Sequence, residues 1–173
     1  TNLDSTANVA IGRKAFGGAH SHSNGSHSSV AIGNLAMGAG VLDNVTGTIA
    51  IGDSALTALT SGAGNTAVGY HALPELSTGN YNTALGYQAL LNSDGGEASC
   101  TAVGYQAGDV IDGNGSCTII GAGSDPSSAG TDNETVIGAG VTGVAANSVT
   151  LGNAAVTAVY MSSDSQALVH SAG

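Results

Sequence analysis

One pattern of polar and apolar positions runs along this chain: a small or polar residue, a variable one, two that are usually apolar, then glycine. It occurs as Asn8-Val-Ala-Ile-Gly12, Ser29-Val-Ala-Ile-Gly33, Thr48-Ile-Ala-Ile-Gly52, Asn65-Thr-Ala-Val-Gly69 and Asn82-Thr-Ala-Leu-Gly86. It continues as Cys100-Thr-Ala-Val-Gly104, Cys117-Thr-Ile-Ile-Gly121, Glu134-Thr-Val-Ile-Gly138 and Ser148-Val-Thr-Leu-Gly152. Successive closing glycines are 21, 19, 17, 17, 18, 17, 17 and 14 residues apart. Self-similarity at a nearly fixed period is the mark of a solenoid.

Each unit predicts a short strand in which alternate side chains share a face. The second and fourth positions form that shared face: Val9 and Ile11, Val30 and Ile32, Ile49 and Ile51, Thr66 and Val68, Thr83 and Leu85, Val149 and Leu151. Val103, Ile120 and Ile137 extend the same aliphatic ladder. The repeat glycines mark places where the backbone turns tightly or passes close to another chain. Alanine follows three residues later in most units (Ala15, Ala36, Ala55, Ala72, Ala89, Ala107), and the stretches between units are rich in the turn formers Gly, Ser, Asn, Thr and Asp. A period near 17 predicts a coil of two short strands and two turns. Coils stacked at about 4.8 Å per rung make a rod roughly 40 Å long.

Composition adds the question of burial. The chain of 173 residues holds 28 Gly and 28 Ala, while Leu, Ile, Val and Phe together number 35. Ordering each residue costs on the order of 1–2 kcal/mol of backbone entropy, and alanine buries little area in return. A lone copy is therefore expected to struggle for a core, and the aliphatic ladder to need a partner surface. Threefold closure of identical chains supplies one. The fold class expected is all-β: a tandem-repeat β-solenoid, a β-roll or β-helix, as an intertwined or side-by-side homotrimer. Residues 1–153 form the repeat region. Residues 154–173 form a C-terminal cap or neck, with strands around 156–161 and 166–170.

Charge narrows the partners. Twelve acidic residues face two basic ones, Arg13 and Lys14, for a net charge of -10. That balance repels phosphate backbones and anionic membranes, so neither nucleic acid nor membrane insertion within this segment is expected. No apolar run approaches the roughly 20 residues of a membrane span. The start, Thr1-Asn2-Leu3-Asp4, has no signal-peptide character, and without an initiator Met the chain reads as a fragment or processed product.

The residues carry a resemblance. Asn8-Val-Ala-Ile-Gly-Arg-Lys-Ala15 is similar to the head repeat of trimeric autotransporter adhesins, the YadA-like β-roll. Asn65-Thr-Ala-Val-Gly-Tyr-His-Ala-Leu73 and the stretch from Ser77 to Leu90 resemble phage tail-fibre repeats. So do Thr118 to Ser128 and Asn147 to Asn153, and the likeness covers residues 8–153. The adhesin repeat is shorter and stricter than this one, which favours the viral fibre. The resemblance implies a homotrimer on a virion or cell surface that presents or forms a receptor-binding surface for host attachment.

Several residues are candidates for chemistry. Tyr70, Tyr87 and Tyr105 follow the repeat glycine in consecutive units, with His71, Gln88 and Gln106 beside them. They read as a stacked ladder on the flank, either purely structural or suited to a cell-surface glycan or protein receptor. Cys100 and Cys117 occupy equivalent positions in successive coils, within disulfide reach or as a pair of buried thiols. His20, His22 and His27 lie in the longest inter-repeat loop; His20 and His22 share a side, and fibre tips of similar appearance bind iron through such a pair. A solvated His-rich loop is the reading preferred, with no cofactor. The carboxylates of Asp94, Glu97, Asp109 and Asp112 match no EF-hand or calcium nonapeptide, and read as solvated acidic turns. The Asn-x-Ser/Thr sites at Asn24, Asn44, Asn114 and Asn133 carry little weight in so polar a chain. No nucleophile elbow, phosphate loop, zinc-protease helix or CxxC is present. The chain is expected to be structural and not an enzyme. An adhesin head is the alternative reading, and a polysaccharide-degrading tailspike, with carboxylates converging only in space, a lesser one.

Overall fold

The computed structural model describes residues 7–17, 28–38, 42–94, 96, 99–113 and 115–157. Nine three-residue strands form one sheet: β1 (Val9–Ile11), β2 (Val30–Ile32), β3 (Ile49–Ile51), β4 (Thr66–Val68), β5 (Thr83–Leu85), β6 (Thr101–Val103), β7 (Thr118–Ile120), β8 (Thr135–Ile137) and β9 (Val149–Leu151). Their order in the sheet is their order in the chain, and every pair is parallel. The fold is an all-parallel β-solenoid, each coil adding one rung. Eight steps of about 4.8 Å make the stack roughly 40 Å long.

Alternation places the first and third positions of each unit inward and the second and fourth outward. Ala31, Ala50, Ala67, Ala84 and Ala102 at the third position are fully buried, joined by Ile119 and Val136 in later coils. First-position residues are polar and also fully buried: Ser29, Thr48, Asn65 and Asn82. Ser29, Asn65 and Asn82 are tolerated because their side chains accept from the next rung, whereas Thr48 Oγ1 is buried without a hydrogen-bond partner. Asn8 Oδ1 accepts from the Ser29 N–H, Asn65 Oδ1 from Asn82 N–H and Asn82 Oδ1 from Cys100 N–H, at 2.9–3.0 Å. Asn65 Nδ2 meanwhile donates to the Gly79 carbonyl at 2.8 Å.

The rest of the interior comes from the turn that follows each glycine. Met37, Leu56, Leu73 and Leu90, four residues after it, are buried, as are Leu59, Leu76 and Ile111, seven after it. Side chains of this size gain about 1.5–3 kcal/mol each on burial. A single chain therefore closes a core of its own, which corrects the expectation that one copy lacks the bulk. The turn reaches this arrangement through left-handed residues in alternation: His71 (φ 50) and Leu73 (φ 49), Gln88 (φ 54) and Leu90 (φ 54). That conformation is unfavourable for side chains of this kind, but it aims successive amides along the rod. His71 N–H donates back to Asp53 O, while Leu73 N–H donates forward to Ala89 O. The other half of the coil differs from expectation. Instead of a second strand, the described residues hold the isolated parallel bridges Asp43–Ser61 and Asp125–Thr142, with single ladder bonds such as Thr60 N–H to Ser77 O. Polar, Gly-rich sequence bonds there without an apolar face to extend the pairing.

At the repeat glycines, Gly33, Gly52, Gly69 and Gly86 have φ between +138° and +144°, and a Cβ on each would lie 2.6 Å from the carbonyl carbon of the glycine one coil on. The close approach expected from the sequence is thus to the same chain. The cap strands expected within 156–161 and 166–170 fall almost wholly outside the described residues; Val156 is described and is not in a strand.

Replacing Gly69 with Ala puts a methyl into a backbone wall at a φ that disfavours it. The expected loss is about 3 kcal/mol or more, read as a lowered thermal midpoint. Gly96, with open space around it, is the control and should move the midpoint much less when changed to Asn, which tolerates positive φ. Equal shifts at the two positions would contradict the glycine-ladder account.

Candidate functional site

The outward face of the sheet is made by two columns. Register runs Ile11, Ile32, Ile51, Val68, Leu85, Val103, Ile120, Ile137, Leu151 along the second of them, aliphatic at every rung. The first column is Val9, Val30 and Ile49, then five threonines, then Val149. These are the ladder residues read from the sequence, and they face away from the chain's own core. Ile51 is 36% exposed, Leu85 46% and Ile11 58%, while Val30, Ile32, Val68 and Val103 are half-buried by their neighbours. No strand residue is charged; the described acidic residues lie in the turns and the return path, with Glu134 just ahead of β8. The outward face therefore carries a continuous, uncharged apolar stripe, the kind of surface on which contacts with other molecules are commonly made.

At the edge of that face stand the tyrosines. Their rings stack at 5.2 Å between Tyr70 and Tyr87 and 5.4 Å between Tyr87 and Tyr105, inclined by 12° and 10°. His71 stacks on Tyr70 at 4.3 Å, and Gln106 Nε2 donates to Gln88 Oε1 at 3.1 Å. The structure thus stacks or bonds all six flank residues singled out by spacing with their neighbours along the row. Tyr87 spends both faces on its neighbours and Tyr70 lies between Tyr87 and His71, so these two rings offer mainly edges and hydroxyls to solvent, while Tyr105, at the end of the stack, is 55% exposed. The row continues toward the N-terminus with polar groups: Asn34 Nδ2 donates to Asp53 Oδ2 at 2.9 Å and Ser54 Oγ to Asp53 Oδ1 at 2.8 Å. Those two bonds, the Asn34 one foremost, hold the Asp53 carboxyl below the usual carboxylate range.

Cys100 and Cys117 are stacked inward, both fully buried, and no disulfide joins them in the structure. The Cys117 thiol donates to Thr131 O at 3.1 Å. Hydrogen bonding with the Cys100 side chain, opposed by burial, lowers Cys117 to about 7. Glu134 occupies the same inward position one coil further on. Its Oε2 accepts from Ser127 N–H and Oγ, both at 3.0 Å, while Oε1 is buried without a hydrogen-bond partner. Sequence reading aligned Glu134 with the repeat but did not see it as a buried acid. Its place in the inward Asn-Ser-Thr column was the available signal.

Like-on-like stacking also pairs carboxylates. The charge of Asp94 raises Asp112. Burial, with Asp109 close by, pushes Asp125 up to about 6, and its Oδ1 is buried without a partner. Of the acidic turns read as solvated, Asp94 and Asp112 are exposed and Asp109 is half-buried; Asp125, outside that reading, is the carboxylate drawn partly out of solvent. Among the described residues no group of three or more His, Cys, Asp or Glu is arranged to hold a metal, and no helix is long and apolar enough to cross a membrane. The histidine candidates His20, His22 and His27 lie outside the described residues.

Comparison with known proteins leaves the geometry to stand alone: no family model, no curated protein and no solved structure matches the chain.

Two outcomes follow from this geometry. Tyr87 stacks on both sides, so Tyr87→Ala should cost about 1–3 kcal/mol beyond simple area loss, at roughly 0.5–1.5 kcal/mol per aromatic pair. Exposed Tyr81, which continues no such ladder, should cost less, and chemical denaturation separates the two. Asp125 binds a proton more tightly in the folded chain than in the unfolded one. Its contribution is therefore present below about pH 4 and lost as pH rises through about 6. Asp125→Asn should melt higher than the parent at pH 7.5, with the gap closing by about pH 4. A gap independent of pH would refute the assignment.

Proposed function

We propose that this chain is a segment of a trimeric attachment fibre or spike, of the kind a phage-like particle projects toward its host. It is a structural, non-catalytic rod at a virion or cell surface. The observation that carries the proposal is the uninterrupted, uncharged aliphatic column on the outward face, nine rungs long. A chain with its own core has no internal use for that column. Charge is kept off it, while a net charge of -10 on the whole keeps the remaining surface soluble and discourages bundling. Three copies around an axis cover the face with no open edge left to grow, as a closed cyclic arrangement requires. The sequence resemblance to tail-fibre and adhesin-head repeats supports the same assembly.

A second reading is favoured by the flank. The exposed edges of Tyr70, Tyr87 and Tyr105, with the Gln88–Gln106 amides beside them, offer hydroxyls and amides at a regular spacing. That suits an adhesin whose side, as in an autotransporter head, contacts a glycan or protein receptor. A polysaccharide-degrading tailspike has less support: the carboxylates brought together among the described residues, Asp94 with Asp112 and Asp109 with Asp125, are accounted for by the stacking of coils.

Light scattering tests the assembly. The expected mass is three times the 16.5 kDa chain. Ile51→Asp places a charge in the proposed interface, on a side chain already part-exposed in the single chain. It should yield a folded species of single-chain mass with β-type circular dichroism, because a buried unpaired charge is prohibitive only in the assembly. A parent of single-chain mass, or a variant still trimeric with an unchanged midpoint, would overturn the proposal.

A further inference from the structure

The inward column changes chemistry over two successive coils, where Cys100 and Cys117 replace the Asn, Ser and Thr of earlier rungs. Both thiols face the same closed interior, fully buried. The coils carrying them are tied by Thr101 N–H to Cys117 O at 2.8 Å, and Cys100 is tied to the coil before by Thr83 N–H to Cys100 O, also at 2.8 Å. Strand register sets their neighbours Thr101 and Thr118 side by side. Parallel neighbours stand about 4.8 Å apart, inside the Cα range of disulfides. No other cysteine exists in the chain, and the interior shields both thiols from a second chain.

We propose that Cys100 and Cys117 are a redox staple, a thiol pair that closes into an intrachain disulfide between adjacent coils when the protein meets a small disulfide oxidant. Cys117 is the attacking sulfur. As thiolate it displaces one thiol from the oxidant and forms a mixed disulfide. Cys100 then loses its proton and attacks Cys117 Sγ, releasing the second thiol. Two S–H bonds are lost and one S–S bond is formed in the protein, while the oxidant disulfide is reduced to two thiols. The hydrogen bond that lowers Cys117 to about 7 fits the order of attack, since the thiolate is the nucleophile. Disulfide-bonded Cβ atoms stand about 3.8 Å apart, so the coils must draw together slightly. The bond is expected to be reduced by thiol once the coils are loosened, since the folded interior shields it. Burial makes the reaction fastest while the coils are forming.

The test refolds the full chain with glutathione disulfide or with a reductant, then unfolds each sample and counts thiols. The oxidised sample should show no reactive thiol, a mass lighter by two hydrogens, no covalently linked chains on a non-reducing gel, and a thermal midpoint raised by about 5 °C that reverts on reduction. Two reactive thiols after oxidative refolding, a stable glutathione adduct, or chain-to-chain crosslinks would each overturn the proposal. Cys100→Ser, oxidised in the same way, should show no rise in midpoint; a rise in that variant would also overturn it. Should the variant fail to fold, the thiol count and mass of the parent decide alone.

Discussion

Backbone amides along the strand and the first turn of a coil bond mainly to carbonyls one coil away, with the alanine amide of the turn closing on its own glycine (Ala72 N–H to Gly69 O), and this in-register stacking governs everything else. Val30 N–H reaches Thr48 O, Ile49 N–H reaches Asn65 O and Thr66 N–H reaches Asn82 O, all at 2.8 Å. Once that repeat is set, equivalent residues must tolerate one another at about 4.8 Å. Glycine stacks on glycine because neither has a Cβ to collide. Asparagine stacks on asparagine because an amide can accept from one rung while donating elsewhere. Tyrosine stacks on tyrosine because an offset ring pair is favourable. The same rule puts Asp94 beside Asp112, where it is a cost, and thiol beside thiol.

This constraint explains what was legible in the sequence. The strands, their number and their alternation follow from positions that recur because they stack, so Gly69, Ala67 and Val68 announced their roles by repetition. Direction was the harder matter. Alternation places Ile49 and Ile51 on one face but does not say which face is inside. The bulkier residues were read as a ladder that needs a partner surface, which left the chain's own core without assigned residues. The core instead uses Ala67 and Ala84 with Leu73 and Leu90 from the turn. Those leucines were harder to read because they sit at left-handed backbone positions, where leucine is rarely expected. The second strand expected in each coil is not found among the described residues, because the return path bonds rung to rung only at isolated points such as Asp43–Ser61 and has no alternating apolar face to extend the pairing.

The tyrosine ladder and the cysteine pair were visible by spacing alone, because stacked residues lie one period apart. What spacing cannot convey is how a group spends its surfaces. Tyr87 looks like a sugar platform in sequence, yet its two faces rest on Tyr70 and Tyr105. A receptor reading for the flank must therefore use ring edges, hydroxyls and the Gln88–Gln106 amides. Glu134 shows the opposite case, an acid whose formal charge implied solvent but whose column put it inside against Ser127.

A self-sufficient coil changes the meaning of the outward ladder. Had the chain lacked a core, association and folding would be one event, and the aliphatic column would report only a need for bulk. With Leu56, Leu59, Leu73 and Leu76 already buried within one chain, the column is surplus to folding. A thin stack held mainly by one bond per rung at each point bends easily. Three such stacks joined along their whole length resist bending because each blocks the others from shearing past it. The feature that folding does not need is then the one that the proposed trimeric rod would use to stay straight.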